Sequence, residues 1–345
     1  MKKTLALLLA LTFVLFTFVG CTTTNDPLEV PKDEVVSPED IVENEPEEEL
    51  KLADNTRVIA LKGPTGMGMA KMIKDADPKY SFSLTSMPDD VTSSIISKTV
   101  DIAAVPVNLA SVLYNKTEGE VQVIALNTLG VLYVVNSDGT VNSLEDLKGK
   151  TIGATGQAST PEYVLNYVLR MNGIDPEKDV TIEYYTDHSE LATRMISGDV
   201  TIGMLPEPQV STVLTKNENC KTVINMTDEW NKVAPDSALV QGCIVARREF
   251  IEQYPDSVKS FLDEYKLSVE FANTSADAPQ TVADLGIVGS AAIAARAIPN
   301  CNIVYFDSES GMKEKLSGTL QVLFEANPKS VGGKLPADDF YFVNK

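Results

Sequence analysis

The residue types in this sequence that could do chemistry are one histidine, four cysteines, two glycine-rich loops and a glutamate between prolines. His188 is the single imidazole in 345 residues. A Ser-His-Asp relay would have to rest on it, and no positioned nucleophile or carboxylate accompanies it in the sequence. Asp187 or Ser189 reads as a cap for the helix that follows, and His188 as a surface or cleft-edge residue. Cys21, Cys220, Cys243 and Cys301 include no CxxC pair. With one histidine, they exclude a His-rich or zinc-ribbon metal site. No catalytic residue, metal ligand or cofactor is therefore expected. An oxidising exterior would permit a disulfide among Cys220, Cys243 and Cys301, but three leave one over and the pairing stays open. Cys243, in an apolar strand, reads as a buried thiol. Trp230 reads as a packing residue.

The two loops could bind a ligand. Lys62-Gly63-Pro64-Thr65-Gly66-Met67-Gly68 follows a strand and precedes a helical pattern. Small residues let backbone approach a ligand, and a helix N-terminus favours negative or hydrogen-bond-accepting groups. The loop matches neither GxxxxGK[ST] nor GxGxxG, and a structural tight turn is the equal alternative. Gly156-Gln157-Ala158-Ser159-Thr160 is the same device before a second helix. There Ser159 and Glu162 have capping-box spacing, Pro161 lies in the first turn, and Gly173 ends the helix.

The total charge of −20 argues against a nucleic acid partner, which needs clustered Lys and Arg. Lys2 and Lys3 precede an apolar run from Leu5 to Val19, too short for a comfortable membrane span, so residues 1–20 read as a secretory signal. Phe18-Val19-Gly20-Cys21 resembles the lipobox of bacterial lipoproteins, with Phe18 in place of the usual Leu. That resemblance implies lipid on Cys21 and attachment to a cell membrane. Residues 22–50 hold 11 acids against Lys32 alone, with Pro27, Pro31, Pro38 and Pro46 and no aromatic residue. Residues 21–50 therefore read as an acidic, disordered tether. The remaining residues 51–345 carry −12, so an anionic ligand would need local donors against an unfavourable field.

Elements that must position the loops follow from periodicity. Strands are expected at Arg57–Leu61, Ser81–Thr85, Asp101–Val105, Val121–Asn127, Val131–Asn136, Thr151–Ala154, Val180–Tyr185, Thr201–Leu205, Thr222–Met226 and Val240–Ala246. Helices such as Met67–Lys74, Asp90–Ser97, Pro161–Met171 and Glu190–Ser197 lie between them. The alternation predicts an α/β fold with mostly parallel sheets covered by helices. From Arg247 to Ala326 the pattern reads as mainly helical.

Three segments together resemble the extracytoplasmic solute-binding proteins of ABC importers, in the nitrate/sulfonate/taurine branch that also includes thiamine-precursor pyrimidine binders. They are the entry ending in Gly66-Met67-Gly68, the run Ser143–Gly153 with its following loop, and the run Leu191–Val200 leading to Leu205-Pro206-Glu207-Pro208. The resemblance implies a two-lobed type II periplasmic-binding-protein fold with a hinge. One lobe would be 51–128 plus 242–345, the other 129–241. It also implies a monomer that captures a small-molecule solute in the inter-lobe cleft and passes it to ABC permease subunits.

Open α/β sheets bind ligands at the carboxyl ends of their strands. The candidate contacts are then backbone N–H groups of Gly66, Met67 and Gly68, the side chains of Asn108, Asn127, Thr128, Gln157, Ser159 and Thr160, and Glu207 for a cationic or amide group. The structural alternatives are helix caps for Asn108 and Ser159, a hinge hydrogen bond for Asn127 and a solvated turn for Glu207. Met67 could line the cleft, while Met69 and Met72 read as core. No Arg lies in these loops, which counts against a doubly charged ligand. Two other functions stay open: an enzyme on the same scaffold, of menaquinone- or thiamine-precursor type, and a sensor or adhesion lipoprotein. The identity of the solute is not legible.

Overall fold

The computed structural model describes residues 50–235 and 237–344; the expected signal, Cys21 and nearly all of the tether lie outside them. The chain begins with β1 (Thr56–Leu61), α1 (Pro64–Met67), α2 (Ala70–Asp75), β2 (Tyr80–Thr85), α3 (Pro88–Ile96), β3 (Ile102–Pro106), α4 (Val107–Lys116) and β4 (Val121–Leu129). It crosses to β5 (Leu132–Asn136), β6 (Thr151–Thr155), α5 (Thr160–Met171), β7 (Thr181–Tyr185), α6 (His188–Ser197), β8 (Ile202–Pro206), α7 (Gln209–Lys216), β9 (Lys221–Asn225) and α8 (Met226–Val233). It returns through β10 (Val240–Arg247), α9 (Arg248–Gln253), α10 (Pro255–Thr274), α11 (Ala278–Asp284), α12 (Ala291–Ala297), β11 (Ile303–Phe306) and α13 (Met312–Ala326).

Two sheets result, one per lobe. The first has the order β11-β4-β10-β3-β1-β2 and the second β7-β6-β8-β5-β9. In each sheet the strand that has just arrived from the other lobe runs against its neighbours. β10 is antiparallel to β3 and β4, and β5 is antiparallel to β8 and β9. β1 runs parallel to β2 and β3 and β6 parallel to β7 and β8, while the edge strand β11 is antiparallel to β4.

Central strands covered on both faces must be apolar throughout. Ile102-Ala103-Ala104-Val105 and Cys243-Ile244-Val245-Ala246 meet this, with every residue buried. On one face of the first sheet lie Met69, Met72, Phe261, Tyr265, Val282 and Ile298 from α2, α10, α11 and the turn after α12. The other face carries Val91, Leu113, Leu316 and Leu320 from α3, α4 and α13. The second sheet is covered by α5 and α8 on one side and by α6 and α7 on the other. Each such buried Leu, Val or Phe stabilises by roughly 1.5–3 kcal/mol. Trp230 is a packing residue: it is fully buried, its ring centroid is 4.9 Å from that of Tyr167, and Nε1 donates to Ser237 Oγ. Cys220, Cys243 and Cys301 are buried free thiols.

Three local expectations fail for identifiable reasons, and the mainly helical region after Arg247 holds one short strand besides. The expected Lys62–Gly68 loop contains α1, since Pro64 at N1 pre-sets φ for a turn. The expected helix Met67–Lys74 accordingly begins only at Ala70. The region after Arg247 contains β11, whose four residues Ile303–Phe306 lie between helices and are too few to declare a period. Ser159 sits at the N-cap of α5 but makes no capping bond; its Oγ donates to Gly156 O at 2.7 Å. Glu162 accepts instead from Ala158 N, one residue before the cap.

Candidate functional site

The polar ends of β4 and β10 meet where the chain crosses between lobes. After Gln122, β4 is apolar until Asn127 and Thr128, which are 0% and 2% exposed. Opposite them, register shifts in the β4–β10 pairing bring Gln241 and Gly242 alongside. Gly242 leaves room for the Asn127 amide: a β-carbon there would overlap Asn127 Oδ1 and lie 2.9 Å from Thr65 Cγ2 and 3.3 Å from Thr128 Cβ. Thr65 from α1, Asn127, Thr128 and Gly242 are therefore mutual neighbours.

Among the described residues, Asn127 Oδ1 and Nδ2, Thr128 Oγ1 and Gln241 Nε2 have no hydrogen-bond partner. The same holds for Thr227 Oγ1, which packs against Gly130 at the first crossing, and for Thr160 Oγ1 at the start of α5. Each buried polar group left unpaired costs about 1–3 kcal/mol, and folded proteins carry few. Five of the ten such atoms among the described residues lie at the crossing points, the others being on Tyr80, Asn115, Thr160, Asn166 and Tyr265; the cluster at the crossings is suited to a polar group brought in from outside. Asn127 thus makes no hinge hydrogen bond. That work falls to Asn302, whose Nδ2 donates to Gly130 O at 2.5 Å and whose carbonyl accepts from Leu129 N at 3.1 Å.

Glu207 lies next to the first crossing on the second-lobe side, where its N–H donates to Val131 O at 2.9 Å. It follows β8, is joined to Pro208 by a cis peptide bond and is 2% exposed, so it is not a solvated turn. Its carboxylate accepts from Ser211 N at 3.1 Å and Ser211 Oγ at 3.0 Å. Burial pushes its pKa up to about 7, against the downward pull of those hydrogen bonds and of Arg296. A β-carbon added at Gly63 would lie 4.0 Å from Pro208 Cδ, so the Glu207-Pro208 turn meets the Gly63–Thr65 turn across the lobes. Tyr133 strengthens the same seam by donating to Asn300 O at 2.8 Å.

The remaining expected residues divide. The N–H groups of Gly66 and Met67 both donate to Gly63 O, at 3.1 and 3.0 Å, and that of Gly68 to Gly66 O. They are spent inside the turn and are not offered to a ligand, a correction that follows from α1 being helical. Met67 is fully buried in the first lobe's core beside Met69 and Met72. Gly68 is required because a β-carbon there would overlap the Tyr265 hydroxyl. Asn108 is half-buried inside α4, whose N-cap is Pro106, so it is not the cap. Ser159 is half-buried and Gln157 exposed. Gln157 lines a cavity of about 510 Å³ between α5 and the end of α13, with Tyr163, Asn166, Arg170 and Asn327.

His188 is half-buried, not a surface residue. Its Nδ1 lies 2.5 Å from Thr155 Oγ1, and burial lowers its pKa. The neighbouring Asp187 caps α6 by accepting from Ser189 N and Glu190 N, so it does not serve the imidazole. Thr65, Thr227 and Gln241 were not singled out from the sequence. Gln241 carried a usable signal, a polar residue interrupting an otherwise apolar strand.

Comparisons with known proteins agree with this architecture. YtlA of Bacillus subtilis (strain 168), whose name assigns it provisionally as a binding protein, is 29% identical over 128 residues. That match spans 36% of this chain and 38% of the relative's length. An ABC transporter structure from Parabacteroides distasonis aligns at TM-score 0.73 and 21% identity, over 85% of this chain and all of that one. The periplasmic aliphatic sulphonate binding protein SsuA from Escherichia coli aligns at TM-score 0.64 and 14% identity, over 81% and 91% of the two chains. These structural likenesses establish the two-lobed periplasmic-binding-protein fold. A family model matches residues 79–293, more than half of the sequence, and the chain belongs to that family, the phosphonate periplasmic substrate-binding proteins of ABC transporters.

Proposed function

We propose that this protein is the extracytoplasmic receptor of an ABC importer, held at the cell membrane by lipid on Cys21 and acting as a monomer. Its lobes are 51–128 plus 242–345 and 129–241, and they close on a small solute by bending at the two crossings. Asn127, Thr128 and Thr160 contact the solute, Asn108, Gln157 and Ser159 lie at the mouth, and Glu207 shapes the second-lobe wall. The solute is handed unchanged to the permease. The observation that carries this reading is the set of buried, unpartnered amide and hydroxyl groups at the strand ends where the lobes join. The enzyme alternative has no support in the site, since His188 pairs only with Thr155 and no carboxylate bonds to it among the described residues.

The test is thermal unfolding of the full chain in detergent, refolded to strip carried solute, against a panel. The panel holds phosphonates, nitrate, taurine, alkylsulfonates, thiamine-precursor pyrimidines, polyamines and aromatic acids. A ligand at 100 times its Kd should add about 2.7 kcal/mol. A saturable shift without consumption of the compound supports a receptor. Consumption means an enzyme, and silence across the panel defeats the reading.

A further inference from the structure

Glu207 lies between two contacts that join the lobes. Tyr133, on β5 beside the end of β8, donates to Asn300 O at 2.8 Å. Arg296 of α12 donates to Leu214 O of α7 at 3.4 Å, and Ser211 of the same α7 holds the Glu207 carboxylate. Both contacts land on α12 and the turn after it, residues 291–300. Water reaches the carboxyl when that segment moves away from β5 and α7.

The charged and titratable groups around Glu207 come from four elements. Arg296, exposed on α12, favours its ionised form. Cys301, in the first lobe's core, and Tyr133 both feel its charge. Burial first, and that charge second, push the thiol and the phenol above their ordinary values, with Asp228 of α8 adding to the effect on Tyr133. On α6, which packs beside α7, Asp187 and Glu190 accept from backbone N–H groups at the start of their own helix, and burial lowers the pKa of His188. Glu207, at about 7, is then the group of this seam that changes charge near neutral pH.

The sign follows from burial. A hydrated carboxyl returns to its ordinary value of about 4.5. The buried one holds its proton more tightly, so closing the seam takes up a proton between those values. Stabilisation of the closed form is full below about 4.5 and is lost as pH rises through about 7.

We propose that Glu207 couples lobe closure to proton uptake: with its carboxyl protonated the lobes stay closed, and loss of the proton loosens α12 and its turn from β5 and α7. In a receptor that closes on its solute, capture is then tighter in acid and release easier as pH rises. That consequence rests on the solute-receptor reading above, whereas the coupling is measured on the chain alone, so the two can fail separately.

The experiment is alkylation of the full chain in detergent by iodoacetamide from pH 6 to 8, resolved by mass spectrometry at each cysteine. Cys301, buried beside the seam, reports opening, and Cys243, buried within β10, serves as the internal reference. The ratio of Cys301 to Cys243 modification should climb about tenfold over that range in the wild type. It should stay flat in Glu207→Gln, which cannot titrate. Ser211→Ala removes the hydroxyl that donates to the carboxylate at 3.0 Å and lowers its pKa, so the climb should move to higher pH. Ser211→Ala also carries the test if Glu207→Gln fails to fold. A flat wild-type ratio overturns the proposal. So does the same climb in Glu207→Gln, which would assign it to another group, and so does a climb that Ser211→Ala leaves in place.

Discussion

Glu207 is the residue whose environment departs furthest from what its type prefers. Buried between Pro206 and Pro208, its carboxyl holds a proton up to about pH 7. A folded-state pKa above the ordinary value contributes stability that is full below about 4.5 and is lost as pH rises through about 7. Glu207→Gln cannot titrate, so the wild-type chain should lose stability relative to it between pH 5 and 8, by something on the order of 3 kcal/mol. Melting curves of both proteins across that range check this, and parallel curves would exonerate Glu207. At Gly242 the constraint is steric. Gly242→Ala puts a methyl on Asn127 Oδ1 and Thr65 Cγ2. It should destabilise by about 1–3 kcal/mol in urea unfolding and weaken solute binding at the same time.

At the scale of elements, α13 fixes the second crossing. Thr319, fully buried on α13, accepts from Val240 N at 3.2 Å and donates to Ala238 O at 2.5 Å. Thr319→Val keeps the shape but strands both backbone groups. It should cost about 1–3 kcal/mol, with faster amide exchange confined to residues 238–240 if the effect is local. Uniformly faster exchange would mean that α13 supports the whole lobe instead. All ten strands expected from periodicity are present, each within two residues at either end. The central ones are continuously apolar, and the outer ones such as β2 and β7 alternate polar and apolar residues, so both patterns read as strand. The misread α1 and β11, a short strand within a region read as mainly helical, are four residues each, and there neighbouring packing decides the conformation.

At the scale of the molecule, the two lobes touch beyond the crossings. Asn327 Nδ2 at the end of α13 donates to Tyr163 Oη on α5 at 3.0 Å, and Arg296 on α12 reaches Leu214 O on α7. Tyr163→Leu removes the first contact and should shift the apo protein toward a more open form, read as a larger radius of gyration in solution scattering. An unchanged radius would mean that the crossing strands alone set the lobe angle. For the proposed anchor, Cys21→Ala should move the protein from the membrane fraction to the soluble fraction, because membrane affinity comes from the acyl chains. Retention on the membrane would instead implicate the uncleaved apolar run.

The sequence alone determined the α/β class, the succession of strands and helices, and the placement of Asn127 and Thr128 at a strand end, because hydrophobic period and turn residues are local signals. A family resemblance carried on short motifs then supplied two lobes, which the fold bears out. The sequence did not disclose which polar atoms would be left without partners. The turn at Gly66–Gly68 consumes its own N–H groups, and Glu207, a candidate ligand contact with a solvated turn as its alternative, is buried with its carboxylate on Ser211. Gln241 and Thr227 join Asn127 and Thr128 from segments about a hundred residues downstream. Hydrogen-bond satisfaction depends on which distant groups share a site, and only the packed tertiary structure decides that.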